Sequence, residues 1–177
     1  ALQTIASRTV SPFDAAVVSV TQMHSGDTWN VIPEEMVIRG TTRAFKEEIQ
    51  SHMEEEIRRI ADGVATTFGI DAKVHYERRY PPTINNAAET DITAGVARDL
   101  VGDDFVSLDK DPMMGAEDFS YLLERWPGAM FFLGVKPDDP SLAAPCHSNR
   151  MILNEDAMAE GVALHAQIAI DYLNQGD

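Results

Sequence analysis

The side chains best suited to metal or nucleophilic chemistry in this sequence are five histidines, at positions 24, 52, 75, 147 and 165, and a single cysteine, Cys146. A catalytic metal needs three or more His, Cys or carboxylate ligands on a rigid scaffold, commonly announced by close histidine pairs. None of these histidines is spaced as a pair on one helix face or one strand face, and a lone cysteine builds no thiolate cage. The sequence therefore announces no self-contained zinc site. His147 is the strongest single candidate, because Ala144-Pro145-Cys146-His147-Ser148-Asn149 is a proline-flanked loop after an apolar run, where α/β folds place site residues. By spacing alone it stays open between a metal ligand and an ordinary loop histidine, and His24, beside Ser25-Gly26, is similar. Cys146 and His147 are both reactive types, but adjacent side chains in an extended segment point apart and make a poor nucleophile and base. His52 and His75 read as solvated, and His165 reads as a hydrogen-bonded core histidine.

Two further sets of polar residues stand out. Asn30 and Arg43 bracket a predicted hairpin, and Arg43 is open between a bidentate fork for a carboxylate and an exposed strand charge. Glu117-Asp118 opens a predicted helix, and Asp118 stays open between first-turn decoration that suits the dipole and a site residue.

The elements that must position these residues follow from periodicity. Residues 14–23 and 35–43 are rich in β-branched side chains and predict two strands, near enough in sequence to pair antiparallel, with Gly40 as a bulge candidate. Ile49, Met53, Ile57, Ile60, Val64 and Phe68 make one stripe of a helix from Lys46 to Gly69. Residues 71–80 alternate as a half-buried strand that Pro81-Pro82 ends. Beyond the prolines the pattern predicts helices over 88–101, 117–125 and 154–174, and short strands at 105–108 and 129–134. The result is an α+β unit followed by a layered α/β half-domain. Ala1–Arg8 has helical propensity without a cap, so the chain is expected to begin inside an element.

Composition bounds the partners. With 29 Asp and Glu against 14 Lys and Arg, the net charge of −15 repels phosphate backbones and anionic lipid, which argues against nucleic acid and membrane. No apolar run approaches the roughly 20 residues of a membrane span, and one cysteine makes no internal disulfide, so a cytoplasmic protein is expected.

In order, Gly26, Asn30-Val31-Ile32-Pro33, Gly40-Thr41-Thr42-Arg43, Tyr80-Pro81-Pro82, Asn85-Asn86, Gly115-Ala116-Glu117-Asp118-Phe119, Pro127-Gly128, Phe131-Phe132-Leu133-Gly134 and His147-Ser148 resemble the latter half of the metal-dependent amidohydrolases. That family includes hippurate hydrolases, N-acyl-amino-acid hydrolases (aminoacylases) and indoleacetyl-amino-acid hydrolases. Around His147 the sequence departs from it, with Asn149-Arg150-Met151 where relatives more often carry a proline and a phenylalanine. The resemblance implies that residues 1–82 are a lid or dimerisation domain, an α+β sandwich with a four-stranded antiparallel sheet that here lacks its first strand. Residues 83–177 would be the C-terminal half of a zinc-peptidase-like α/β catalytic domain. It also implies two divalent metal ions, zinc or manganese, with His147 as the last metal-binding histidine. Asn30 and Arg43 would meet the substrate, Arg43 by gripping the free carboxylate of an N-acyl amino acid. Glu117 and Asp118 would lie close to the active site. The remaining ligands and the general-base glutamate would lie upstream, so this chain alone is expected to be inactive and to form a homodimer through the lid. The alternatives are a non-enzymatic dimerisation or ligand-binding module of the same fold, and an unrelated acidic α/β protein, which an absence of pairing between the first two strands would favour.

Overall fold

The computed structural model describes residues 1–174 and is a mixed α/β structure. Its chain divides into two compact units, one of Ala1–Pro82 with Met113–Ala116, the other of Thr83–Pro112 with the described residues from Glu117 onward.

In the first unit, β1 (Ala16–His24) pairs antiparallel with β2 (Val37–Ala44), with Ala16 opposite Ala44 and Val17 opposite Arg43. The register slips between Val20 and Gln22, leaving Thr21 as the extra residue of a bulge. Thr21 turns its hydroxyl onto the Arg39 carbonyl at 3.4 Å. Gly40 is the residue opposite Val20, and a Cβ there would stand 2.3 Å from the Ser19 carbonyl oxygen, so only glycine lets the strands approach this closely. Side chains alternate along each strand, so Val18 and Val20 share a face with Thr42 and Gly40; after the bulge it is Met23, opposite Ile38, that continues this face.

Helix α1 (Glu47–Phe68) lays Ile49, Met53, Ile57 and Ile60 against Ile5 and Val18; Met53 and Ile5 are fully buried. Beyond Ile60 the predicted stripe leaves this core, and Val64 and Phe68 are exposed. Gly69, at φ 67°, ends the helix: its N–H donates to the Thr66 carbonyl and that of Ile70 to Ala65, the Schellman arrangement. Ile5 is carried by a single wide helical turn over Ile5–Thr9.

Residues 71–80 alternate as predicted but join no ladder among the described residues, so the sheet has two strands. A strand exists only through a partner. Here side chains of α1 and β2 hold the segment instead. Arg58 Nη1 donates to the Val74 carbonyl at 3.1 Å, Arg78 Nε to Glu54 Oε2 at 3.0 Å, and the Tyr76 and Thr42 hydroxyls lie 2.6 Å apart. Glu54 also takes Arg58 at 2.9 Å, and these two guanidinium groups hold its carboxyl below the usual range.

In the second unit, α2 (Ala87–Val101) packs on α4 (Ala157–Asn174), with Ala94, Val96 and Gly161 buried. Gly161 is a point of close approach, where a Cβ would stand 2.8 Å from Leu133 Cδ2. The predicted helix over 117–125 contracts to α3 (Ser120–Leu123), with hydrogen-bonded turns on either side. Residues 105–108 and 129–134 also form no ladder among the described residues. For the latter, Asn85 supplies what a neighbouring strand would: its side-chain amide donates to the Met130 carbonyl at 2.8 Å and accepts from the Met130 N–H at 2.9 Å. Asn86 caps α2 by accepting from the Ala88 N–H at 3.1 Å, and its own N–H reaches the Gly128 carbonyl. Among the described residues, no helix is long and apolar enough to cross a membrane.

Candidate functional site

In the first unit, Arg43 lies near the inner end of β2 and is half-buried. Its Nη1 donates to the Met114 carbonyl at 2.7 Å, and among the described residues no carboxylate pairs with it. Its charge is thus fixed in place without being neutralised, as an anion-binding arginine requires. Asn30 sits in the exposed loop 25–36 between the strands, with its Oδ1 accepting from the Thr28 hydroxyl at 3.1 Å. That loop is closed at its base by the Ser25 hydroxyl, which donates to the Glu35 carbonyl at 3.0 Å. No hydrogen bond joins Asn30 to Arg43 among the described residues.

In the second unit, the N–H of Ser148 donates to the Pro145 carbonyl at 3.0 Å, making a tight turn with Cys146 and His147 at its centre. His147 has φ 68°, the only positive φ outside glycine among the described residues. A left-handed backbone costs an L residue roughly 1–2 kcal/mol, and strain of this kind concentrates at functional positions. The base of this loop is held by Asn154, whose N–H donates to the Val135 carbonyl at 2.9 Å and whose side chain reaches Asp138 at 3.4 Å. The imidazole and the Cys146 thiol are both exposed.

Glu117 and Asp118 precede α3 rather than opening a longer helix. The Glu117 carbonyl accepts from the buried Ser120 hydroxyl at 2.5 Å, its carboxylate accepts from the Asp118 N–H at 3.1 Å, and Asp118 is exposed. No hydrogen bond or ion pair links either of them to His147 among the described residues. His165 departs from its expected role: it is exposed, and its ring lies 5.1 Å from that of Phe131 instead of being hydrogen-bonded in a core. His52 is half-buried, its Nε2 3.0 Å from the Thr9 hydroxyl. A shallow recess of about 460 Å³ beside Asn86, Trp126 and Gly128 contains none of the predicted site residues.

Among the described residues, no three His, Cys, Asp or Glu side chains converge to hold a metal ion. One exposed imidazole fits one position of a metal centre that needs at least three. The donors present do not make such a centre by themselves.

The mixed α/β fold superposes on part of solved aminohydrolase and M20-family peptidase structures. Residues 5–171 match the model of peptidase family M20/M25/M40, and the chain belongs to that family. It is 36% identical over 177 residues to IAA-amino acid hydrolase ILR1-like 6 of Arabidopsis thaliana, a match covering 98% of this chain and 38% of that protein. With the hippurate hydrolase of Campylobacter jejuni the identity is 31% over 173 residues, covering 98% and 44%. A crystal structure from Bacillus subtilis, described as a dinuclear metal binding peptidase of the M20 family, superposes with a TM-score of 0.75 at 27% identity, over 90% of this chain and 42% of that one. The chain thus spans about two fifths of the length of the curated relatives it matches.

Two contacts carry no sequence signal that would have found them. The Met114 carbonyl is a backbone acceptor 71 residues from Arg43, and every residue type offers one. The Asn85 clip was legible only as a pair of asparagines before a helix, where the second reads as a cap and the first as its neighbour.

Proposed function

We propose that this chain is the substrate-gripping and site-completing portion of a metal-dependent amidohydrolase that cleaves N-acyl amino acids of the hippurate kind in the cytoplasm. What carries this reading is the family relation over residues 5–171. Residues 1–82 serve as the lid and homodimerisation domain, and residues 83–177 as the C-terminal part of the catalytic domain. Arg43 receives the free carboxylate of the amino-acid portion and Asn30 contacts the substrate from the lid. Glu117 and Asp118 border the active site. His147 supplies one ligand to a centre of two divalent ions, zinc or manganese, whose other ligands are not among these residues. Its left-handed backbone supports that assignment, because strain of this kind concentrates at functional positions.

A single donor cannot complete the centre, so the 177 residues alone are inactive. The test is hydrolysis of hippurate by the purified chain with added manganese or zinc. No turnover above background is expected; activity that disappears in His147→Ala would overturn the reading. A second reading, a ligand-binding or dimerisation module without catalysis, draws on the absence of a three-donor cluster among the described residues. Catalysis restored by a polypeptide carrying the remaining ligands, and lost again in His147→Ala, would exclude it. The third alternative is removed by the family relation, and β1 and β2 do pair.

A further inference from the structure

Met113–Ala116 is counted with the first unit although the residues on either side of it are counted with the second. It is tied there by the 2.7 Å hydrogen bond from Arg43 Nη1 to the Met114 carbonyl. A guanidinium presents two edges to a carboxylate, the Nη1/Nη2 edge and the Nε/Nη2 edge. The Met114 carbonyl takes an Nη1 hydrogen, and the Nε/Nη2 edge has no hydrogen-bond or ion-pair partner among the described residues. A free arginine side chain has rotamer freedom to lose on binding. Here a backbone carbonyl has already fixed it.

We infer that Met113–Ala116 is a strap that pre-orients Arg43, so that carboxylate binding at Arg43 and fastening of the strap reinforce each other. This rests on the reading of Arg43 as the carboxylate grip. Coupling of this kind is reciprocal: a guanidinium immobilised by the strap binds carboxylate more tightly, and one immobilised by carboxylate holds the strap more tightly, by the same factor. The strap is accessible enough to report on this, since Met113, Gly115 and Ala116 are all exposed. Arg43 fixes the substrate class at this position as a free carboxylate, against an amide or ester of the same acid. Only the charged group makes the paired charge-assisted bonds that reward a fixed fork.

The experiment uses the 177-residue chain, hippurate as the probe, and two readouts: hippurate affinity by calorimetry and the rate of proteinase K cleavage within Met113–Ala116. Arg43→Ala should speed cleavage on the order of tenfold, the scale of losing one charge-assisted hydrogen bond, and abolish binding. Arg43→Lys keeps the charge and the stem, so its cleavage should stay within about threefold of the parent while affinity falls about tenfold. Saturating hippurate should slow cleavage several-fold in the parent and leave Arg43→Ala unchanged, and hippuramide should do neither. Circular dichroism establishes that both variants fold. Arg43-dependent binding with cleavage indifferent to both ligand and variant would sink the strap and leave the carboxylate reading standing. Cleavage that responds to Arg43→Ala in a chain that binds no hippurate would sink the carboxylate reading, and the coupling with it.

Discussion

Helices α1 and α4, of 22 and 18 residues, differ in how far their surroundings satisfy them. Over its first four turns α1 is served by its own unit: Ile49, Met53, Ile57 and Ile60 meet Ile5 and Val18, and Glu54 and Arg58 engage residues 71–80. α4 turns Gly161 toward Leu133, yet Met158, Val162, Ile170, Tyr172 and Leu173 lie exposed. A helix that is apolar on several sides is built for an interior. The core around α1 closes within the first unit, though Phe13, Trp29 and Ile32 of that unit stay exposed, while α4 encodes more burial than the described residues of the second provide. That is what the proposed role as part of a larger catalytic domain requires, and it locates where covering surface would go.

The largest expected effect tests the closed half. Met53→Ala removes a fully buried side chain and should cost about 2–5 kcal/mol, whereas Val162→Ala on α4 should stay within about 0.5 kcal/mol. Urea denaturation followed by far-UV circular dichroism measures both; equal losses would erase the contrast between the units. A smaller effect comes from the second unit's strained loop. His147→Gly should raise stability by about 1 kcal/mol by relieving the left-handed backbone, and His147→Ala, which keeps the strain, should not. If the two variants melted together, the turn would be unstrained.

The smallest effect concerns charge. Glu54, Glu56 and Glu77 are held below their ordinary value of 4.5 by hydrogen bonds from arginines, Glu54 by two of them. A depressed folded value means that the contribution is present above the unfolded value and is lost as pH falls through the folded one. Acidification below about pH 4.5 should therefore loosen residues 71–80 from α1 first, through Glu54 and Arg78, while the core around Met53 persists. Carboxyl NMR titration reads this directly. A Glu54 midpoint at or above the ordinary value would remove the tether from the account.

What the sequence disclosed follows the range of each interaction. The α1 stripe and the β1–β2 pairing are local patterns, and both stood out from residue types alone. Residues 71–80 showed the right period, but periodicity cannot name a partner, and Arg58, Arg78 and Tyr76 engage them through side chains instead. At the site, Arg43 and His147 were visible as chemistry-bearing types. Their circumstances were not: left-handed turns are signalled by glycine or asparagine, so nothing marked His147 as strained.

The bulge at Thr21 shows how a hairpin can absorb one codon without turning over. Because Thr21 stands outside the ladder, Met23 faces the same way as Val18 and Ile38, and His24, opposite Val37, faces the same way as Arg43. In a lineage that lost that codon, Gln22 would follow Val20 directly, and Met23 would stay opposite Ile38 and His24 opposite Val37, each on its present side. A three-nucleotide deletion would straighten the strand and reduce its local twist without exchanging its sides, so the bulge is the device by which an inserted threonine leaves the polarity of everything beyond it unchanged.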